Sequence, residues 1–193
     1  MTIRLPHKSA GPNAAGRTLL ALVNTVGRRY RSLRSFGSMT TAPTDQSLPI
    51  PPDTLSHDGL SLHFVKVVPG EPSRGFVPYY HFRIVGPDGV DVGHINFRVG
   101  DTEHVRVCAG HIGFQILEGH RGQGYALRAC RALAPFVASV YEAVTITCDP
   151  DNHASRRTIE RLGACFVDEV AVPTQDPHYQ RGSRWKRRYR WEP

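Results

Sequence analysis

Apolar positions in the second half of the chain change period in a definite order, and that order predicts the elements. Ile112, Phe114 and Ile116 alternate with Gly113, Gln115 and Leu117, which is the period of a strand over 112–117. A polar turn follows at 118–123, and 124–141, rich in Ala, Leu and Arg, predicts a helix. Residues 143–148, AVTITC, have the β-branched alternation of another strand. Strand, helix and strand in this order form a βαβ unit, whose crossover makes the two strands parallel. Asn152 then caps a helix that runs to Leu162, and Gly163 ends it. Upstream, 60–68, 80–85 and 92–99 alternate as strands, with the turn Gly86-Pro-Asp-Gly89 between the last two. Gly100-Asp-Thr-Glu103 predicts a further hairpin that returns through 104–109. Residues 165–172 and 183–191 complete the strands, separated by a loop at 173–182. The expected fold class is α/β (α+β), a mixed and mostly antiparallel sheet with a central parallel βαβ unit and flanking helices.

Two strands carry a polar face that needs an explanation. On 92–99, His94, Asn96 and Arg98 share one side, which is either a solvated face or one turned toward a ligand. On 183–191, Trp185, Arg187, Tyr189 and Trp191 oppose Arg184, Lys186, Arg188 and Arg190. An aromatic core face backed by a charged solvated face accounts for this pattern, with a nucleic-acid stripe as its rival.

The turn before the long helix carries candidate chemistry. Glycines at 119, 122 and 124 let the backbone take unusual dihedrals and let a ligand approach closely. The unpaired N–H groups at the helix N-terminus then form an anion site with room for a diphosphate. Arg121-Gly-Gln-Gly124-Tyr-Ala126 resembles the Arg/Gln-x-x-Gly-x-Gly/Ala loop of the GNAT acyltransferases. Asn152-x-x-Ser155, with Glu160-Arg-Leu-Gly163-Ala164, resembles the helix that follows in that family, and the likeness extends over residues 60–191.

The resemblance implies a GNAT fold and an N-acyltransferase that moves an acetyl or other short acyl group from acyl-CoA to an amine by direct attack, without a metal. Acetyl-CoA would lay its diphosphate on the amides of Arg121, Gly122, Gln123, Gly124, Tyr125 and Ala126. Its pantetheine arm would add like a strand beside Ile116 and Leu117, where an N–H would hold the oxyanion. Asn152 and Ser155 would line the arm, although Asn152 also serves as a helix cap. His111 is the candidate base, because it starts the central strand and titrates in a useful range. Glu103, His94 and Glu118 are weaker candidates.

This chain departs from the family pattern at three places. Many members carry a Tyr that protonates the leaving thiolate, and Ile159 stands at that position. Ser155 and Tyr125 are the nearest hydroxyls in sequence, so Ser155 joins His111 as a catalytic candidate. Glu118 occupies a loop position where Pro is common. Only PGEPSRGFVP separates the strands at 60–68 and 80–85, where the family places two helices that wall the acceptor. An open acceptor site, or one completed by a second copy in a homodimer, is therefore expected. A non-catalytic CoA-binding or regulatory domain is the alternative function.

Charge changes this picture little. The formal charge of +7 comes from Arg4, Lys8, Arg17, Arg28, Arg29, Arg31 and Arg34, with no acidic residue before 45. Removing those seven from the 24 basic residues leaves 17 to face all 17 acidic ones. Residues 1–45 read as a basic disordered extension, with an organellar transit peptide or a start at Met39 as other readings. Residues 46–59 read as a Pro-rich linker and 60–193 as the acetyltransferase domain. Cys108, Cys130, Cys148 and Cys165 lack paired or metal-type spacing and read as reduced core thiols, which favours a cytoplasmic protein. No apolar run has the length of a membrane span. Nucleic acid is disfavoured, and the expected partner is a small-molecule or peptide amine that Asp176, His178 and Tyr179 are placed to meet.

Overall fold

The computed structural model describes residues 48–52 and 55–193, so the expectations for the basic arm lie outside the described residues. Five antiparallel strands form the first sheet in sequence order: β1 (Leu55–His57), β2 (Leu60–Val68), β3 (Tyr79–Val85), β4 (Asp91–Arg98) and β5 (Ile112–Ile116). β1 falls within the segment read as linker and turns into β2 through Asp58 and Gly59, both with positive φ. A second sheet holds β6 (Val144–Cys148), β8 (Trp185–Trp191) and β7 (Cys165–Ala171), with β8 in the middle and all pairing antiparallel.

Helix α1 (Tyr125–Ala138) joins the two sheets. Its buried residues Tyr125, Ala129, Ala132, Leu133, Phe136 and Val137 recur at helical spacing and face the sheet. Phe136 stands edge-on to Tyr80 and Phe97, with ring centroids at 4.9 and 5.5 Å, which centres the core between α1 and the inner strands. Helix α2 (His153–Arg161) adds Ile159 to the same core.

The expected parallel βαβ pairing is corrected by this topology. β5 is the last strand of one sheet and β6 an outer strand of the other. A single residue joins them: the His111 N–H donates to the Thr145 carbonyl at 2.7 Å, and the Thr145 N–H donates to His111 Nδ1 at 3.1 Å. No further rung of a parallel ladder follows among the described residues. Beyond His111 the strands go to different sheets.

The returning strand expected at 104–109 is also corrected. His104–Ala109 forms a π-helical turn, and its buried residues Val105, Cys108 and Ala109 follow helical spacing. The last strand keeps its aromatic core face at Tyr189 and Trp191 but loses it at Trp185, which is 51% exposed. Lys186, expected in solvent, is 4% exposed because its ammonium pairs with Asp149 just past β6 at 2.7 Å.

Candidate active site

β5 and β6 each end a sheet and so leave one edge unpaired, and His111 hydrogen-bonds to Thr145 where the two come together. In β5, Leu117 donates its N–H to Val92, and His111 accepts from the Arg98 N–H. Antiparallel alternation therefore turns the backbone groups of 112, 114 and 116 away from β4 and toward the cleft. Ile116 presents its N–H there, while its carbonyl accepts from Arg121 Nε at 3.2 Å. Leu117, whose amide is committed to β4, cannot offer that N–H to a ligand.

The turn after β5 opens at the same end. Gly122 and Gly124 have φ of +79° and +76°, and a Cβ built on either would meet no protein atom within 4 Å. Gly124 caps α1, and no side chain caps the helix end. Among the described residues, the amides of 122–126 have no protein acceptor, since the turn's own bonds stop at Arg121. They form a row of donors at the positive end of a 14-residue helix. Glu118 begins a short 3-10 turn, Glu118–His120.

The remaining site candidates separate. Asn152 caps α2, accepting the Ser155 N–H at 3.0 Å, so both sit on the first turn after β6. Tyr125 is buried, with its hydroxyl beside Gly86 at the β3–β4 turn and not in the cleft. Ile159 is fully buried in the core. His111 is 6% exposed; its Nδ1 lies 3.1 Å from the Thr145 amide nitrogen and 3.3 Å from the Thr145 carbonyl oxygen, and burial lowers its pKa. His94 is lowered by burial and by neighbouring His81, and Asn96 accepts from His81 Nδ1 at 2.7 Å.

A second group of side chains gathers where the π-helical turn meets the loop at 173–182. His104 Nδ1 donates to Asp176 Oδ2 at 2.6 Å, and Asp176 Oδ1 accepts the His178 N–H at 2.8 Å. Burial pushes the Asp176 carboxyl up, but hydrogen bonds from His104, His178 and the Cys108 thiol outweigh it and hold the group below its usual range. The ligand atoms of His104, Cys108 and Asp176 lie within 4.8 Å of one another, so this trio has the donor set of a cation site. The 2.6 Å contact is a proton-sharing distance, shorter than two donors keep around one cation. Burial, with Asp176 beside it, pushes the Cys108 thiol up to about 12; burial alone does so for Cys130, and Cys148 is raised to about 11. These three thiols stay protonated, and Cys165 is exposed.

His104 also lines a cavity of about 450 Å³ between the segment after β2 and the short helix α3 (Pro177–Gln180). Arg98 reaches this cavity from β4, so part of the polar face of that strand does meet a ligand-sized space. Sequence reasoning named Asp176 and His178 but missed His104, because 104–109 was read as strand. The spacing His104-x-x-x-Cys108, one helical turn, was the available signal.

Residues 52–164 match the acetyltransferase (GNAT) domain family. No curated protein matches the sequence. Among solved structures, RimL, a ribosomal L7/L12 alpha-N-protein acetyltransferase, is similar at 18% identity and TM-score 0.45, over 59% of this chain and 69% of its own. The microcin C7 self-immunity acetyltransferase MccE, solved with acetyl-CoA and AMP, is similar at 18% identity and TM-score 0.46, over 60% of this chain and 61% of its own. A GNAT-family acetyltransferase from Bacillus anthracis is similar at 22% identity and TM-score 0.46, over 58% of this chain and 65% of its own. The chain thus spans about two thirds or less of the length of these proteins. With more than half of its residues inside the domain match, the chain belongs to the GNAT acetyltransferase family.

Proposed function

We propose that the protein transfers an acetyl group from acetyl-CoA to an amine held in the cavity beside His104. The observation that carries this reading is the row of five amides at the start of α1 that have no protein acceptor among the described residues, directly after β5, whose outer edge is unpaired. The CoA diphosphate would accept from the amides of Gly122 to Ala126, with Arg121 at the rim. The pantetheine arm would enter along the β5 edge past Ile116, and the Phe114 N–H, which also faces away from β4 and lies nearer the cavity end of the strand, would polarise the thioester carbonyl and hold the oxyanion. Asn152 and Ser155, on the opposite lip, would bound the arm.

The attacking amine must lose a proton. His104 is the proposed base: Asp176 holds its Nδ1–H, which leaves Nε2 to accept. His111, with its Nδ1 already engaged, serves in this reading as the stitch that sets where the strands part. Attack forms the new C–N bond and breaks the C–S bond, and the amine proton goes to His104. The CoA thiolate is protonated from the cleft, with Ser155 the nearest hydroxyl in sequence.

Calorimetry with CoA, followed by free-thiol release from acetyl-CoA over a panel of amines, tests the reading. CoA binding with amine-dependent thiol release is expected. Absence of CoA binding overturns the proposal, and binding without turnover on any amine favours a regulatory CoA-binding domain.

A further inference from the structure

The cavity beside His104 carries a charge imbalance that the transfer chemistry does not use. Three arginines line it: Arg74, Arg98 and Arg181. Glu71, the one carboxylate in its wall, is already paired with Arg74 at 3.0 Å. Asp176, behind His104, has its oxygens committed to His104 and to the His178 amide. His178 adds no charge, because burial and the nearby Lys186 and Arg181 lower its pKa to about 4. Arg98 and Arg181 are left without a carboxylate among the described residues.

Arg98 is the informative one. Its guanidinium lies against the bare backbone of Gly113, 3.0 Å from where a Cβ would stand, and near the Tyr79 ring. Among the described residues, its hydrogen-bond acceptors are the carbonyls of Ala109 and Gly110, both at 3.3 Å. Other sheltered cations have an acid: Lys186 has Asp149, Arg187 has Glu169 and Arg188 has Asp168. A sheltered guanidinium without a counter-ion, opening onto a ligand-sized cavity, is a place for an anion supplied by the ligand.

We propose that the acceptor is a small amine that also carries a carboxylate, of the amino-acid class, with its carboxylate received by Arg98 and Arg181 and its amine directed to His104. This rests on the transferase reading and narrows it. The cavity volume suits a single small molecule. Phe76 and Tyr79 in the wall offer apolar surface to its side chain. A protein N-terminus fits less well, since its amine has no carboxylate one carbon away.

The test pairs acceptors that differ only in the anion: amino acids of several side chains, their decarboxylated amines, their amides, and short peptides. Each is assayed by thiol release and, with CoA present, by calorimetry. Carboxylate-bearing acceptors are expected to exceed the matched amines in kcat/KM by at least about tenfold, the scale of one lost charge-assisted contact. Arg181→Gln, at an exposed position, and Arg98→Lys are each expected to erode that preference through KM while leaving CoA affinity unchanged. Equal or better turnover of the amines or amides, preference for peptides, or an unchanged ratio in Arg181→Gln overturns the inference and leaves the transferase reading standing. CoA binding with no carboxylate-bearing amine either bound or acetylated does the same. Loss of CoA binding alone strikes the transferase reading, while binding of the carboxylate ligand is still read by calorimetry.

Discussion

Substituting Gly122 by Ala, with Gly89→Ala as its control, isolates what the amide row does. Both glycines have φ of +79°, and a Cβ at either would meet no protein atom within 4 Å. An L-residue held there costs about 1–2 kcal/mol, and because the dihedral and the free space match, the cost is shared. Thermal midpoints of both variants should therefore fall together, by roughly 3–8 °C for a domain of this size. Gly89 lies in the exposed β3–β4 turn, away from the cleft. At Gly122 the new methyl occupies the side from which a diphosphate would reach the amides. Losing one charge-assisted hydrogen bond there costs about 1.5 kcal/mol, or about tenfold in Kd. Calorimetric titration of CoA into the two variants measures the difference directly, with unfolding curves run in parallel. If Gly122→Ala binds CoA within twofold of Gly89→Ala, the row is an ordinary turn and the argument fails.

Two further outcomes follow from the charged groups near the cavity. Asp149→Asn strands the Lys186 ammonium and should cost about 3 kcal/mol in urea unfolding, whereas Lys186→Met, which leaves a half-exposed carboxylate, should cost about 1 kcal/mol or less. Burial raises Asp149, but hydrogen bonds from Lys186 and Ser183 outweigh it and depress its folded pKa; this stability is present above its unfolded value near 4 and is lost as pH falls through the lower folded one. Equal losses for the two variants, or stability that does not decline in acid, would contradict this account. His104→Gln and Asp176→Asn should each lower kcat by about a hundredfold or more, with CoA affinity retained, since one removes the base and the other releases its tautomer. Wild-type kcat in either variant would place the base elsewhere.

How much of this was legible in the sequence depends on whether a feature is local. The loop at 118–126 was readable because its chemistry is main chain: positive-φ glycines and a helix start are encoded within six or seven residues. The β1–β2 hairpin was equally encoded, since Asp58-Gly59 between Leu55 and Leu60 is a strong two-residue turn signal; the neighbouring prolines concealed it. The π-helical turn was not, because Val105 and Val107 mimic strand alternation, and only contact with β6, such as the Thr147 hydroxyl donating to Cys108, shows which residues turn inward. The parallel pairing failed for the same reason: side-chain periodicity identifies strands but not which edges meet, and β5 and β6 lie in different sheets.

The proposed acceptor cavity is a long-range construction. The short stretch between β2 and β3 builds no helix pair; it forms a single 3-10 turn, Pro72–Arg74, closed by the Glu71–Phe76 bridge. The Thr102 hydroxyl pins this turn by donating to the Gly75 carbonyl at 2.7 Å, and Thr102 also precedes the π-helical turn that carries His104. The wall, the proposed base His104 and Arg98 are thus tied to one another through β4 and the residues that follow it, while Asp176 and His178 arrive from a loop about seventy positions later. A cavity assembled in this way changes its lining when any one loop changes, and leaves the amide row of α1 untouched. If CoA lies on the amide row and the acceptor in the cavity, as proposed, the two are separable, and substitutions at Arg98 or Arg181 should redirect acceptor choice without weakening CoA binding.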